Sequence, residues 1–281
     1  MGGNQQKLEL YFLGTGGGRF VMSTQKRRTA GFRITNNETQ VHVDPGPGAL
    51  VFSNWAGLPP SKLSGLIVTH CHPDHYTDAE VFIESMTLGT RRSQGLLAAT
   101  RSVLHGFEGV GPSISQYHQR LPEQVVELKK GTEFKIDNMK FKAIEARHSD
   151  PTSVGIRLEV PELGSFGYTS DTGYFSELSS YLEDLRLLAL CVIWPRNNPI
   201  SKHLCTDDAL IIIEEAAPSA VLLTHFGMRM LNADPTKEAV YLQENTGVPV
   251  IALKDGMKIS IEDNIIIQGP RKSDDIITLE V

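Results

Sequence analysis

Hydrophobic positions in the first third of the chain come in short alternating or β-branched runs. Leu8-Glu9-Leu10-Tyr11-Phe12-Leu13, Gly31-Phe32-Arg33-Ile34-Thr35, Gln40-Val41-His42-Val43 and Leu66-Ile67-Val68-Thr69 all predict strands. The period changes over Thr77 to Arg92, where Val81, Phe82, Met86 and Leu88 fall near helical spacing. Thr77 and Glu80 there have the Ser/Thr-x-x-Glu form of a capping box, so a helix is expected to start at Thr77. Further strands are predicted over 96–100, 124–128, 132–136, 139–145, 154–160, 165–169, 187–193, 219–223 and 249–252, and helices over 176–184, 206–216 and 236–245. A doubly wound sheet needs a helix after nearly every strand. The stretch 124–160 instead separates its strands by turns as short as Lys130-Gly131 and Asp137-Asn138. The expected architecture is therefore α/β, two packed mixed sheets with helices outside. No linker, charge block or repeat divides the chain, which predicts one domain over 1–281.

Composition narrows the function classes. The 281 residues are 40% hydrophobic and 21% charged, enough to bury a core. With 27 Lys+Arg against 33 Asp+Glu the net charge is −6, so no global positive field exists for general nucleic-acid or membrane-surface binding. An anionic substrate must be caught locally. The longest apolar run, Leu187 to Trp194, falls far short of the roughly 18 residues of a membrane span. The polar start Met1 to Gln6 lacks a signal-peptide layout, and Cys71, Cys191 and Cys205 form no CxxC pair, so a reducing, cytoplasmic setting is expected.

Candidate chemistry is concentrated where the strand Leu66–Thr69 runs into His70-Cys71-His72-Pro73-Asp74-His75. His70 and His72, two apart in extended chain, project the same way, while Asp74 and His75 turn the corner stiffened by Pro73 and serve a second position. Cys71, between them, is expected to point away into packing. Further ligands must come from afar. His148, Asp171 and His225 each stand at or just beyond a predicted strand end, the placement expected of residues that converge on one rim.

These residues in this order resemble the metallo-β-lactamase superfamily across essentially the whole chain. Leu13-Gly14-Thr15-Gly16-Gly17 and Val43-Asp44-Pro45-Gly46 are similar to the opening of that family. The resemblance implies an αββα sandwich with a binuclear metal site at one edge of the sheets. His70, His72 and His148 would hold one ion, Asp74, His75 and His225 the other, and Asp171 would bridge. It also implies that Asp44 bonds the histidine loop and fixes a ligand's orientation. Imidazole and carboxylate donors suit two Zn²⁺ per chain, with Mn²⁺ or Fe²⁺ open on ligand type. Such a pair generates a bridging hydroxide as nucleophile, with Asp74 expected to orient it as well as coordinate.

The branch is suggested by His203, between Asp171 and His225, which is similar in order to a histidine that assists leaving-group protonation in ribonuclease Z and related phosphodiesterases. Ser153-Val154-Gly155-Ile156-Arg157 resembles a Ser-x-Gly-x-Arg strand of that branch. The leading expectation is a phosphodiester hydrolase acting on a small or nucleotide-like anionic substrate, RNA included. Only 23 positions separate His148 from Asp171, which leaves no room for the long tRNA-gripping arm of bacterial-type ribonuclease Z. The alternatives are a thioester or lactone hydrolase of the glyoxalase II or lactonase type, and a non-catalytic binding protein on the same fold. Lys26-Arg27-Arg28, Arg91-Arg92 with Arg101, and Lys129-Lys130 with Lys140 and Lys142 are basic patches that could line an anion's path. A homodimer is common in the superfamily. His42, His105 and His118 fit no ligand position and are expected to be structural or exposed.

Overall fold

The computed structural model describes residues 7–271 and 273–281. Its first half builds strands β1 (Leu8–Phe12), β2 (Phe32–Asn36), β3 (Thr39–Val43), β4 (Gly65–Val68), β5 (Leu96–Thr100) and β6 (Gln124–Leu128). The chain then crosses to a second sheet, with β7 (Glu133–Ile136), β8 (Met139–Glu145), β9 (Val154–Val160), β10 (Gly164–Tyr168), β11 (Leu187–Trp194), β12 (Leu204–Cys205), β13 (Val221–Thr224) and β14 (Val250–Ala252). It returns to the first with β15 (Met257–Ile261), β16 (Ile265–Gln268) and β17 (Ile276–Leu279). Sheet orders are β17-β16-β15-β1-β2-β3-β4-β5-β6 and β14-β13-β11-β10-β9-β8-β7.

The helices are α1 (Arg19–Thr24), α2 (Ala49–Trp55), α3 (Pro73–Tyr76), α4 (Ala79–Met86), α5 (Arg101–His105), α6 (Gln116–Gln119), α7 (Thr206–Ala216), α8 (Met228–Ala233) and α9 (Pro235–Thr246). Two sheets with helices outside form the expected αββα sandwich.

Burial follows the pleat. In β8, Met139, Phe141 and Ala143 are buried between the sheets while Lys140 and Lys142 face solvent. The central β11 is covered on both sides and is apolar throughout, Leu187-Leu188-Ala189-Leu190-Cys191-Val192-Ile193-Trp194. Its even positions Leu188, Leu190 and Val192 pack outward against Ala209, Ile212 and Ile213 of α7 and Leu242 of α9. Beyond the other sheet, Leu66 and Val68 of β4 meet Phe82, Ile83 and Met86 of α4.

The expected helix from Thr77 is instead two pieces, α3 and α4. Asp78 ends the first turn because its carboxylate accepts the N–H of Leu50 at 2.9 Å, pinning the segment to α2. Thr77 donates its hydroxyl to the Pro73 carbonyl, and Glu80 accepts from the N–H of Ser115, so neither makes the capping box. The helix expected over 176–184 is a single 3₁₀ turn, Ser179–Tyr181, and strands β15 to β17 lie where none was assigned. No helix among the described residues is long and apolar enough to cross a membrane.

Candidate metal centre

Strands β8, β10, β11 and β13 run in one direction, because β8 and β10 both pair antiparallel with β9 while β10, β11 and β13 pair parallel. Their C-terminal ends therefore share a rim, where ligand sites of α/β sheets form. His148 lies in the loop after β8, Asp171 in the loop after β10, and His225 follows β13 directly. The first sheet faces them with His70 after β4, His72 at the N-cap of α3, and Asp74 and His75 in its first turn. Left-handed backbone at Asp44 (φ 54°), Ser170 (φ 52°) and His225 (φ 61°) bends the chain at three of these strand ends.

The donor atoms fall into two groups. His70, His72, His148 and Asp171 place theirs within 4.8 Å of one another, as do Asp74, His75 and His225. In the first group His148 Nε2 is 2.9 Å from His72 Nδ1 and 3.8 Å from Asp171 Oδ2, which is 3.9 Å from His70 Nε2. In the second, His225 Nε2 is 3.1 Å from His75 Nε2 and 3.5 Å from Asp74 Oδ2. Asp171 reaches both groups, with Oδ1 3.2 Å from His225 Nε2 and Oδ2 3.7 Å from His75 Nε2. A third set, Asp171, Cys191 and His225, also meets the spacing. Burial and the Asp171 charge push the Cys191 thiol far up, which keeps its sulfur a poor donor.

Outer contacts fix the rings. Buried Asp44 accepts the Thr69 N–H (2.8 Å), the Thr69 hydroxyl (2.8 Å), the Tyr168 hydroxyl (3.1 Å) and Nδ1 of His75 (3.0 Å), so His75 turns Nε2 to the cluster. His148 Nδ1 donates to the Lys202 carbonyl at 2.7 Å, leaving Nε2 to face Asp171. Gly18 N–H donates to Asp74 Oδ2 at 2.8 Å, and Gly17 lies so close to His225 that a Cβ there would stand 2.2 Å from the imidazole. Asp150 is fully buried, accepts the N–H of Cys71 at 3.0 Å and of Thr152 at 2.8 Å, and takes the Ser102 hydroxyl. It thereby clips the His70–His72 segment to the loop of His148. Asp150, Tyr168 and Thr69 were not singled out from sequence. Before Pro151-Thr152, Asp150 reads as a turn residue, and Tyr168 and Thr69 read as strand ends.

Two observations test whether the cluster suits metal ions. His70 Nε2 is fully buried, aimed into the first group and without a hydrogen-bond partner. The carboxylates also pull positive charge to the second group. Although burial opposes it, Asp44, Asp74 and Asp171 raise the His75 pKa well above its ordinary value. Against the same penalty, His225 and His75 hold Asp171 well below the usual carboxylate range, and His75 and His225 do so for Asp74. An orphaned imidazole nitrogen and a carboxylate field that gathers cationic charge both fit divalent ions with N/O donors.

His203 stands just outside, with Nδ1 3.6 Å from Asp171 Oδ2, its ring edge-on to His148 at 4.7 Å and its side chain about one-fifth exposed (21%). Cys71 packs with Phe82 and Ile83 beneath α4. His42 is buried, His105 pairs with Glu127, and His118 lies between Glu80 and Glu84. Among the basic patches, Arg101, Lys129 and Lys130 come together in one cleft beside His148, whereas Lys140 and Lys142 line a different one on the outer face of β8.

Residues 39–226 match the family described as the β-lactamase superfamily domain. The chain belongs to the metallo-β-lactamase superfamily. It is 38% identical over 257 residues to an uncharacterized protein of Methanocaldococcus jannaschii, spanning 91% of this chain and 96% of that one. Ribonuclease Z of Thermococcus kodakarensis is 34% identical over 85 residues, 30% of this chain and 26% of that enzyme. Among solved structures, the metallo-β-lactamase fold protein YhfI of Bacillus subtilis superposes with a TM-score of 0.71 at 16% identity, covering 91% of this chain and all (100%) of that one. A diphosphatase of the PhnP family gives 0.66 at 18% identity, with 91% and 98% covered. The short form of human tRNase Z gives 0.65 at 15% identity, with 90% and 99% covered. These structural likenesses show the fold.

Proposed function

We propose that this chain is a binuclear metal-dependent phosphodiesterase. His70, His72 and His148 hold one divalent ion, Asp74, His75 and His225 the second, and Asp171 lies between them. The observation that carries the reading is the placement of a spare, partly accessible imidazole, His203, against the two-group donor set. The matches to ribonuclease Z and the likeness to a diphosphatase and a tRNase Z support the choice of bond.

When bound, the two ions supply Lewis acidity that brings the pKa of water toward neutrality and offsets negative charge at phosphorus. The chain's own residues do the rest. Asp44 and the Lys202 carbonyl hold His75 and His148 in the tautomers that offer Nε2 inward, so no reorganisation is needed as substrate arrives. Asp74, steadied by the Gly18 N–H, orients the attacking water through the carboxylate oxygen lone pairs that this hydrogen bond leaves. His203 holds the proton for the departing oxygen. Burial pushes its free pKa down to about 4, with Asp171 opposing the shift. A phosphodiester anion seated against the ring adds negative charge and raises it, so protonation accompanies substrate binding.

The test pairs two diesters that differ only in leaving group. An alkoxide is basic and gains from a general acid, by about 10²–10⁴-fold, whereas nitrophenolate departs with little help. His203→Ala is expected to slow the alkoxide diester by that order and the nitrophenyl diester far less, with metal content unchanged. Equal losses on both, or loss of metal, would contradict the role. Turnover of thioesters or lactones in place of either diester would move the chain to the other hydrolase class.

A further inference from the structure

Beside the proposed centre, a cleft of about 650 Å³ opens between the end of β6, the loop after β8 and the start of α5. His148 lines its inner end, so the cleft and the donor cluster are continuous. Its walls carry Arg101, Lys129, Lys130, Arg147 and Lys202 against Glu127 and Glu145 alone. Glu145 is shared by Lys130 at 2.6 Å and Arg147 at 2.9 Å, and Glu127 is engaged by His105 at 3.3 Å. Among the described residues Arg101, Lys129 and Lys202 make no ion pair. In a chain of net charge −6, three exposed cations with no carboxylate partner around one cleft form a local concentration of positive charge. The contrast with the outer face of β8 is direct. There Lys142 lies 3.6 Å from Glu133 and Arg157 lies 3.6 Å from Glu159, so two of that cleft's three cations are matched by its own carboxylates and only Lys140 is left over.

We infer that this cleft holds phosphate groups of the substrate other than the one that reacts, making the substrate a polyanion with several phosphates rather than an isolated diester. The inference rests on the phosphodiesterase reading for the site next door but not for the cleft's own chemistry. Arg101 offers a planar fork for two phosphate oxygens, and Lys129 and Lys202 offer mobile point charges. Repeated phosphates reach the cleft from two sources, a nucleic-acid strand or a compact polyphosphate.

The experiment compares the full-length metal-loaded chain with the double variant Arg101→Gln/Lys129→Gln, and with Lys140→Gln/Lys142→Gln as a control of equal charge change on the far face. Fluorescence anisotropy reads binding of a short phosphorothioate single-stranded oligoribonucleotide, and displacement reads binding of inorganic tripolyphosphate. For a strand, the cleft variant binds the oligoribonucleotide roughly tenfold more weakly and its log Kd against log salt slope falls by about 1–1.5, while the control changes neither. For a compact polyphosphate, the tripolyphosphate affinity falls by the same order and the oligoribonucleotide affinity does not. Both outcomes support the cleft and identify its source. Unchanged affinity for both probes, or equal weakening by the control, overturns it. Kinetics gives a second readout, in which the ratio of kcat/KM for the polyanion over bis(nitrophenyl) phosphate falls about tenfold in the cleft variant. Absence of any diester cleavage would refute the proposed function alone, because the anisotropy result stands without turnover.

Discussion

Replacing Asp44 by asparagine isolates the role of one charge behind the cluster. Three donors converge on Asp44 Oδ2, namely His75 Nδ1 at 3.0 Å, the Thr69 hydroxyl at 2.8 Å and the Tyr168 hydroxyl at 3.1 Å, while Oδ1 takes the Thr69 N–H at 2.8 Å. In Asp44→Asn the amide oxygen keeps the backbone N–H and an NH₂ replaces the acceptor Oδ2. The Thr69 hydroxyl can turn to Ser170 Oγ, already 2.7 Å away. The imidazole has no such escape. Facing a donor, Nδ1 of His75 must become the acceptor, the proton moves to Nε2, and the ring then presents N–H to the site where a lone pair is required. Losing such a partner weakens metal affinity about 10–100-fold, and leaving a buried donor unmatched costs about 1–3 kcal/mol of folding stability. Competition against a chromophoric chelator measures the first, and denaturant unfolding measures the second. The expected result is one ion weakened by that factor while the other is little changed. If Asp44→Asn binds both ions as tightly as the parent, Asp44 does not set the His75 tautomer and the argument from its hydrogen bonds fails.

Two further outcomes follow from particular contacts. Gly17→Ala would put a methyl 2.2 Å from the His225 ring, so the imidazole must swing out, and loss of one ion with retained far-ultraviolet circular dichroism is expected; full metal content would contradict the close approach. His42 is buried with Nε2 3.0 Å from the Ala30 carbonyl, and burial with the nearby Arg33 charge holds its pKa well below 6.5. The native ring stays neutral while the unfolded one takes a proton, so stability falls as pH drops below about 6.5, by about 1.4 kcal/mol per pH unit. In saturating metal, His42→Phe should remove about one proton's worth of that slope between pH 6.5 and 5, and an unchanged slope would refute the assignment.

The fold was legible where burial and period coincide. β8 alternates over Met139 to Ala143 and β9 over Ile156 to Val160, β11 is apolar end to end because both its faces are covered, and the helix at 206–216 has the apolar spacing of α7. The 176–184 stretch has helical spacing, but its Leu178 and Leu182 are buried by irregular chain that makes one 3₁₀ turn. Thr77 and Glu80 fit a capping box on paper, yet the Thr77 hydroxyl goes back one turn to the Pro73 carbonyl and Glu80 is taken by the distant Ser115 N–H. The alternation of Met257 to Ile261 is visible in the sequence, but so short a run specifies a strand only once β1 lies beside it. At the site, the residues that carry donors stand out by type. Those that hold them, such as Asp150 and Tyr168, are ordinary in sequence and acquire meaning only from what they touch.

The central claim is that seven side chains from four segments of both sheets form one two-ion centre. Elemental analysis of the chain, purified and reconstituted with Zn²⁺ or Mn²⁺ and freed of loose ions, tests it most directly. The account predicts about two ions per chain. A value near one, or no uptake at all, would contradict it.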